Sequence, residues 1–232
     1  MQFRKIYDML FPPYGMKVIA KLSKKQLPHV GNETNLPINK FLDIGCGNHS
    51  VHKFRKIFGS TWDYFGIDIS RVNFNERDLE EIKDLKIANL ETKNILELFP
   101  QEKFDAIYFT QVIEHVNNGY DILKSLRNLQ KIDGILYVET PSTISLSLPS
   151  RPLTLNFHDD TTHKALYPIE RIVSTLEENG YRVIKAGYRK DIRRILVFPL
   201  LSLLFILRRE MVPGPVLWDI DNFAIFVLAY AV

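Results

Sequence analysis

Cysteine is almost absent from this sequence: Cys46 is the single one in 232 residues. One cysteine excludes an intramolecular disulfide and a cysteine cluster for zinc or an iron–sulfur centre. An excess of one charge is also missing, and the net charge of +3 is too small to indicate a nucleic-acid partner. The N-terminus lacks the apolar core of a signal peptide, so a cytoplasmic location is the default expectation.

The composition is otherwise typical of a soluble globular protein, with 46% hydrophobic and 25% charged residues. The length suits one domain with a substantial core. Residues 1–36 are predicted to form an N-terminal helical cap, and residues 37–232 the main domain. The lysines of the cap are interpreted either as a solvated face of a helix packed on the sheet or as a docking element for acidic partners.

The segment FLDIGCGNHS, residues 41–50, is an apolar run that ends in a glycine-rich turn. Gly45 and Gly47 have no Cβ, so the backbone there can turn sharply and approach a ligand closely. A helix is predicted to follow at residues 51–58, and the free N–H groups of its first turn point toward the same place. This arrangement is typical of the start of an α/β nucleotide-binding fold.

Apolar strands alternate with helices over the rest of the domain. This alternation predicts an α/β fold with a largely parallel sheet covered on both faces. Ligands of such sheets lie beyond the carboxyl ends of the strands, where polar residues stand at 43–47, Asp68, Asn89 and 110–111. The predicted strands are residues 40–44, 63–67, 86–88, 104–109, 135–139, 181–186 and 222–232, with a further helix at residues 121–130.

Asp68 ends the second predicted strand and is the strongest candidate for binding a ribose, because a carboxylate can accept hydrogen bonds from both ribose hydroxyls. A nicotinamide cofactor is disfavoured. Its fingerprint requires a third glycine for close helix–strand packing, and Ser50 stands at that position.

Five segments in order resemble the class I S-adenosylmethionine-dependent methyltransferases, and within them the small-molecule, ubiquinone-methyltransferase-like branch (types 11 and 23). They are FLDIGCGN, YFGIDIS, IANLE, FDAIYFTQVIEHV, and the pair DGILYVETP with ENGYRVI. They cover about two thirds of the chain. The resemblance implies a Rossmann-like methyltransferase fold: a seven-stranded mixed sheet, strand 7 antiparallel at the sheet edge, and helices on both faces. The N-terminal helical cap predicted from its own periodicity completes the expected fold.

The resemblance also implies S-adenosyl-L-methionine as cofactor and assigns its contacts. The departures are Asn89, where the family usually has aspartate, and the lack of a further glycine near Asn48. The implied contacts are Asp43, Gly45, Cys46, Gly47 and Asn48 under the methionine part, Asp68 at the ribose with Ile69 beside the adenine, Asn89 and Leu90 at the adenine edge, and Thr110, Gln111 and Val112 on the sulfonium side with His115 behind them.

Methyl transfer from a sulfonium needs the acceptor to be positioned and, for a hydroxyl, a base. The predicted reaction is methyl transfer to oxygen of a small-molecule or lipid-linked acceptor, and the alternative is a non-catalytic homologue that binds the cofactor and serves as a partner protein. Cys46 lies in the cofactor loop, which disfavours a thiol nucleophile. No N/D-P-P-Y/F motif follows strand 4, which disfavours the amino-methylating nucleic-acid enzymes of this family.

The acceptor wall is expected in a long loop at residues 142–168. His158 and His163 are the predicted catalytic bases, and the alternative interpretation is that they are polar loop residues that cap the next helix. A metal site formed by these histidines with Asp159 and Asp160 is disfavoured, so no metal is predicted.

Residues 192–209 form an apolar insert with arginines at both ends. Its core, residues 195–207, is 13 residues long and contains Pro199, whereas a membrane-spanning helix needs about 20 residues. Basic flanks favour a peripheral membrane contact, or the segment lines a lipid-like acceptor pocket. A buried lid or a dimer contact is the competing interpretation, and monomer and homodimer both stay open.

Overall fold

The structure is a computed structural model that describes residues 11–24, 40–47, 49–150, 155–209, 212 and 214–232. These residues form a seven-stranded sheet in the order β3-β2-β1-β4-β5-β7-β6. The first five strands pair in parallel, and β7 is antiparallel to both of its neighbours. The strands are β1 (Lys40–Ile44), β2 (Asp63–Asp68), β3 (Asp84–Ile87), β4 (Phe104–Thr110), β5 (Gln130–Pro141), β6 (Tyr181–Tyr188) and β7 (Ala224–Ala231).

Helices cover both faces of the sheet. Side chains alternate along each strand, so Phe41 of β1 joins the core on one face while Leu42 and Ile44 join the core on the other. In the described ranges the α-helices are α1 (Tyr14–Lys24), α2 (Ser50–Phe58), α3 (Glu76–Glu81), α4 (Ile95–Leu98), α5 (Gly119–Leu126), α6 (Ile169–Glu178), α7 (Ile192–Leu207) and α8 (Gly214–Ile220).

The predicted fold class is confirmed, including the antiparallel seventh strand. Its predicted position at the sheet edge is wrong, because β7 lies between β5 and β6 and β6 is the edge strand. The physical reason is burial: all eight residues of β7 are buried, whereas much of β6 is exposed. An apolar strand of this kind needs a partner on each side.

Several predicted boundaries shift. Strand β3 begins two residues before its predicted start, and β5 extends well beyond residues 135–139 in both directions. Helix α5 ends at Leu126, and a 3-10 turn at Arg127–Leu129 leads directly into β5. The loop at residues 142–168 contains 3-10 turns at Thr143–Ser147 and Phe157–Asp159, so part of it has regular structure.

Helix α1 lies against the sheet through Met16 and Ile19, both fully buried. Gly15 permits this approach, because a Cβ at that position would lie 2.3 Å from a ring carbon of Tyr137. The other parts of the predicted cap, residues 1–10 and 25–36, lie outside the described residues.

The apolar insert forms helix α7, which is held to the sheet by buried charges. Arg194 of α7 pairs with Asp219 of α8 at 3.1 Å, Arg189 pairs with the same carboxylate at 3.0 Å, and Arg189 lies 3.5 Å from Glu139 of β5. Lys17 of α1 contacts Asp191, the N-cap of α7, at 2.6 Å. Removing one partner of such a pair would leave a buried charge uncompensated, so these pairs fix the position of α7. Among the described helices, none combines the length and apolar character required to cross a bilayer.

Candidate active site

A cavity of about 590 Å³ lies at the carboxyl ends of β1, β2, β3 and β4. This is the edge at which a parallel sheet of this topology binds its ligand. Nine of the predicted site residues line it: Gly45, Gly47, Asp68, Ile69, Asn89, Leu90, Gln111, Val112 and His115.

The turn after β1 requires both of its glycines, for different reasons. Gly45 has a φ of 83°, and a Cβ there would lie 2.1 Å from Cγ2 of Val112. Its N–H donates to the carbonyl of Ile67 at 2.8 Å, which ties the turn to β2. Gly47 donates its N–H to Asp68 Oδ2 at 2.9 Å, and a Cβ at Gly47 would lie 3.1 Å from that oxygen. The glycines therefore bring the backbone of this turn against both β2 and the cavity.

Asp68 presents its carboxylate to the cavity at the end of β2. Oδ2 accepts from Gly47, and Oδ1 accepts from the N–H of Ser70 at 3.1 Å. Each carboxylate oxygen has two lone pairs, so further acceptor capacity faces the ligand. Ile69 follows with 69% of its side chain exposed, which leaves an apolar surface beside the carboxylate.

The end of β3 contributes a turn that is organised by Asn89. Its Oδ1 accepts from the N–H of Glu91 at 2.9 Å, and its carbonyl accepts from Lys93 at 2.9 Å. Leu90 is buried and lines the cavity. The turn therefore offers one apolar wall together with the amide of Asn89.

The end of β4 is held in an unusual backbone conformation. Gln111 has a φ of 53°, in the left-handed region that residues other than glycine seldom adopt. Its N–H donates to the carbonyl of Glu139 at 2.8 Å, which stabilises this conformation. Strained residues of this kind concentrate at functional sites. Val112, which follows, fills the space above Gly45.

His115 lines the cavity and is oriented by a chain of hydrogen bonds. Thr162 Oγ1 donates to Asp160 Oδ1 at 2.6 Å. Since the hydroxyl hydrogen is used there, the 2.8 Å contact between Thr162 Oγ1 and His115 Nδ1 has the imidazole N–H as donor. The ring of His115 therefore has its lone pair on Nε2. Burial lowers the pKa of His115, which favours the neutral imidazole.

His163 and Glu114 stand behind His115. The two imidazole rings lie 4.8 Å apart, and His163 Nδ1 lies 2.6 Å from the carbonyl of Phe157, which can only accept. Glu114 is fully buried and accepts from Thr140 Oγ1 at 3.1 Å. Burial raises the pKa of Glu114 to about 8, so its carboxyl is mainly protonated at neutral pH.

Two residues of the predicted cofactor loop support the site from beneath and do not line the cavity. Asp43 is buried and accepts from Ser50 Oγ at 2.6 Å and from the hydroxyl of Tyr64 at 2.5 Å, and burial raises its pKa to about 6. Cys46 is buried against Gly66, and burial raises the pKa of its thiol.

The other predicted site residues lie outside the cavity lining or outside the described residues. Asn48 is outside the described residues. Thr110 and His163 are absent from the lining. His158 is exposed, and its N–H donates to Asn156 Oδ1 in a capped 3-10 turn.

The cavity also has polar lining residues that are not among the predicted site residues. Glu91 lies in the segment IANLE, and Thr162 and Lys164 lie in the predicted acceptor loop. The sequence points to both segments but not to these three side chains. Lys164 pairs with Glu91 across the cavity rim, and its N–H also donates to the carbonyl of Glu114 at 2.8 Å. The remaining polar lining residues of this group are Asn73 and Thr161.

Comparison with known domain families matches residues 15–186 to the methyltransferase domain family. The ubiquinone biosynthesis O-methyltransferase of Glaesserella parasuis serovar 5 (strain SH0165) is 31% identical over 147 residues, which are 60% of this chain and 61% of that protein. The (S)-coclaurine N-methyltransferase of Papaver somniferum is 31% identical over 102 residues, 42% of this chain and 28% of that protein. The chain thus spans less than two thirds of the length of these relatives.

Solved structures show the same fold at low sequence identity. The plantazolicin methyltransferase BpumL, in complex with a triazolic desmethylPZN analog and SAH, superposes with a TM-score of 0.61 at 15% identity, over 99% of this chain and 90% of that chain. A SAM dependent methyltransferase from Archaeoglobus fulgidus gives a TM-score of 0.52 at 17% identity, over 98% and 99% of the two chains.

The fold and the family match define the class of this protein, that of the class I S-adenosylmethionine-dependent methyltransferases. The match to residues 15–186 covers most of the chain, and this chain belongs to the methyltransferase domain family. The curated relatives include both O- and N-methyltransferases, so family membership leaves the target atom open.

Proposed function

We propose that this protein transfers the methyl group of S-adenosyl-L-methionine to a hydroxyl oxygen of a small-molecule or lipid-linked acceptor. One observation carries the proposal: the two-glycine turn of β1 and the carboxylate of Asp68 face one cavity and are joined by a hydrogen bond. A nucleoside that is joined to an amino acid through sulfur needs both a close backbone approach and a bidentate acceptor for its ribose.

The lining residues divide into three groups along the cofactor. Asp68 would accept from the ribose hydroxyls, and the turn at Gly45 and Gly47 would lie against the methionine part. Ile69, Asn89 and Leu90 would surround the adenine, and Gln111, Val112 and His115 would close on the sulfonium side. The bound cofactor supplies an activated methyl group. This chain therefore has to bind the cofactor, orient the acceptor and deprotonate the acceptor hydroxyl.

His115 is the residue best placed to take the proton of an acceptor hydroxyl. It lines the cavity, its Nδ1–H is held by Thr162, and Nε2 retains a lone pair. Asp160 accepts from Thr162 and would stabilise the imidazolium that forms. His163 lies directly behind His115 and would position its ring. His158 is exposed and does not line the cavity, so it is less suited to act as the base.

The test compares His115→Asn with His158→Asn, a matched change of a histidine outside the cavity. Formation of S-adenosylhomocysteine is measured with catechols that do or do not carry a polyprenyl tail, and with primary amines. Loss of a general base is expected to lower kcat with the hydroxyl acceptor by about 100-fold or more for His115→Asn, with cofactor affinity largely retained. Because the pKa of His115 is lowered, kcat of the wild type should stay constant as the pH falls to the ordinary histidine pKa of about 6.5 and should decrease only at lower pH, where the imidazole becomes protonated.

Equal activity of both variants would contradict the role of His115, and turnover of amines alone would contradict transfer to oxygen. Cofactor binding without turnover of any acceptor would favour the alternative, a homologue that binds the cofactor and acts as a partner protein.

The acceptor or its carrier is proposed to be lipid-linked because of helix α7. A row of large apolar side chains on this helix is exposed, and residues 192–209 contain arginines and no acidic residue. The exposed side chains are Ile192, Leu196, Leu200, Leu203, Ile206 and Leu207. From Ile192 to Leu203 the spacings are three and four residues, and Ile206 and Leu207 follow Leu203 at three and four residues, which places the row along one side of the helix. An apolar row with basic residues at its ends favours a peripheral contact with an anionic membrane.

A further inference from the structure

Two histidines and an aspartate come together beside the cofactor loop. His49 precedes α2, His52 lies in its first turn, and Asp78 lies in α3. His49 Nδ1 is 2.7 Å from Asp78 Oδ2, and His52 Nε2 is 3.1 Å from Asp78 Oδ1. All three potential ligand atoms lie within 4.8 Å of one another. The three residues are separate from the lining of the cofactor cavity.

The aspartate is buried and only half satisfied. Asp78 is 0% exposed, and its Oδ2 accepts from the N–H of Asn75 at 2.9 Å as well as contacting His49. Within the described part of the chain, Oδ1 is also buried and accepts no hydrogen bond, although it faces Nε2 of His52. Leaving a buried carboxylate oxygen without a donor is costly. A cation bound by both Asp78 Oδ1 and His52 Nε2 would remove this cost.

The other nitrogen of His52 has a carboxylate partner. Glu81 Oε1 lies 3.5 Å from His52 Nδ1, and the Glu81 carboxylate is itself paired with Arg55 at 3.3 Å. A carboxylate beside one imidazole nitrogen favours the proton on that nitrogen and leaves the other nitrogen as the lone-pair ligand, which is the usual arrangement around a metal-bound histidine. The charge of Arg55 offsets that of Glu81, whereas the charge of Asp78 remains directed at the histidines.

We propose that His49, His52 and Asp78 form a binding site for a divalent transition-metal ion of the zinc type. Two imidazole nitrogens and one carboxylate oxygen suit such an ion, with water as the fourth ligand. At zinc's preferred bond lengths, tetrahedral ligand atoms lie about 3.3 Å apart. The 3.1 Å separation of His52 Nε2 from Asp78 Oδ1 is close to this spacing, and the 2.7 Å contact of His49 Nδ1 with Asp78 Oδ2 would lengthen when an ion binds.

The ion would act on the cofactor loop through the backbone. His49 has a φ of 57° and stands two residues after Gly47, which lines the cavity. A ligand bond from His49 to Asp78 would fix this left-handed residue to α3. The expected role is therefore structural: the ion holds the loop between β1 and α2 in its binding conformation.

The test titrates the intact chain, first stripped with a chelator, with Zn²⁺ against a chromophoric competitor. His49→Gln and His52→Gln change partly exposed side chains and are expected to lose one equivalent of Zn²⁺ or to weaken its binding by more than about tenfold. The control is His163→Gln, because Glu114, His115 and His163 form the second described group with metal-ligand spacing. Co²⁺ in place of Zn²⁺ should give visible absorption bands that His52→Gln abolishes.

The same variants separate the outcomes. Retention of all bound Zn²⁺ by both His49→Gln and His52→Gln would overturn the site, as would loss of the equivalent in His163→Gln alone. A stripped wild-type protein that binds no Zn²⁺ would overturn it as well. Thermal unfolding gives a second readout, since Zn²⁺ should raise the Tm of the wild type and of His163→Gln but not that of His52→Gln.

Discussion

Glu114 lies fully buried behind the cavity, with Thr140 as the donor to one of its carboxyl oxygens. Burial raises its pKa from 4.5 to about 8. The folded state therefore holds a proton that the unfolded chain releases above about pH 4.5. The stability that this residue contributes is present at low pH and is lost as the pH rises from about 4.5 to about 8.

Glu114→Gln is expected to remove this loss, because glutamine keeps the acceptor for Thr140 and carries no charge. The variant should match the wild type near pH 4.5 and exceed its unfolding free energy increasingly toward pH 8, by an amount on the order of 4 kcal/mol. Urea denaturation of both proteins at several pH values measures the difference. A difference that stays constant across this range, or that grows toward low pH, would contradict the buried protonated carboxyl.

At the residue scale, sequence is informative where a feature depends on neighbours in the chain. The apolar run that ends in a glycine-rich turn singles out Gly45 and Gly47, and both line the cavity. The hydrogen bond from His115 to Thr162 joins residues 47 positions apart, so no local pattern indicates it. The burial of Glu114 likewise depends on packing against β5. This contact joins distant parts of the chain, so it has no local sequence signal.

At the scale of elements, α7 presents two different sides. Leu201 and Phe205 pack with Val216 of α8, whereas Leu200 and Leu203 are 60% and 53% exposed. Residues 195–207 are apolar all round, so their sequence cannot distinguish the packed side of the helix from the exposed one. The helical register and the ion pair of Arg194 with Asp219 determine which side of α7 packs against the protein.

The double substitution Leu200→Asp and Leu203→Asp is expected to lower binding to vesicles that contain anionic lipid by tenfold or more. Each exposed leucine that enters lipid contributes roughly 1.5–3 kcal/mol, and aspartate adds repulsion from the lipid charge. Vesicle flotation measures the bound fraction. The control is Ile132→Asp, which changes an apolar residue of β5 that is 74% exposed, more than either leucine.

Two results would contradict the membrane contact. One is wild-type protein that does not float with anionic vesicles at all. The other is a double variant that floats like the wild type but changes from dimer to monomer in size-exclusion chromatography, which would make α7 an interface between two copies of the chain.

At the scale of the whole molecule, the sheet was predictable because it depends on regular alternation. Strands of buried residues such as β1 and β4 carry that signal directly. The order of the last two strands was not predictable in the same way, since β6 and β7 reach their positions through long-range pairing. The buried charges that connect α1, α7 and α8 to β5 also join distant parts of the chain, and they appear only once the chain has folded.

The central claim is that Asp68 and the glycine turn together bind the cofactor. Isothermal titration calorimetry with S-adenosylmethionine and S-adenosylhomocysteine tests it on the wild type, Asp68→Asn and Asp63→Ala. Asp68→Asn can still accept from Gly47, and Asp63 is a carboxylate at the opposite end of the same strand. We expect binding by the wild type and by Asp63→Ala, and about 30-fold weaker binding by Asp68→Asn, because hydrogen bonds to a charged acceptor contribute about 2 kcal/mol. Folded wild-type protein that releases no heat with either ligand, or an Asp68→Asn variant that binds both as tightly as the wild type, would contradict it.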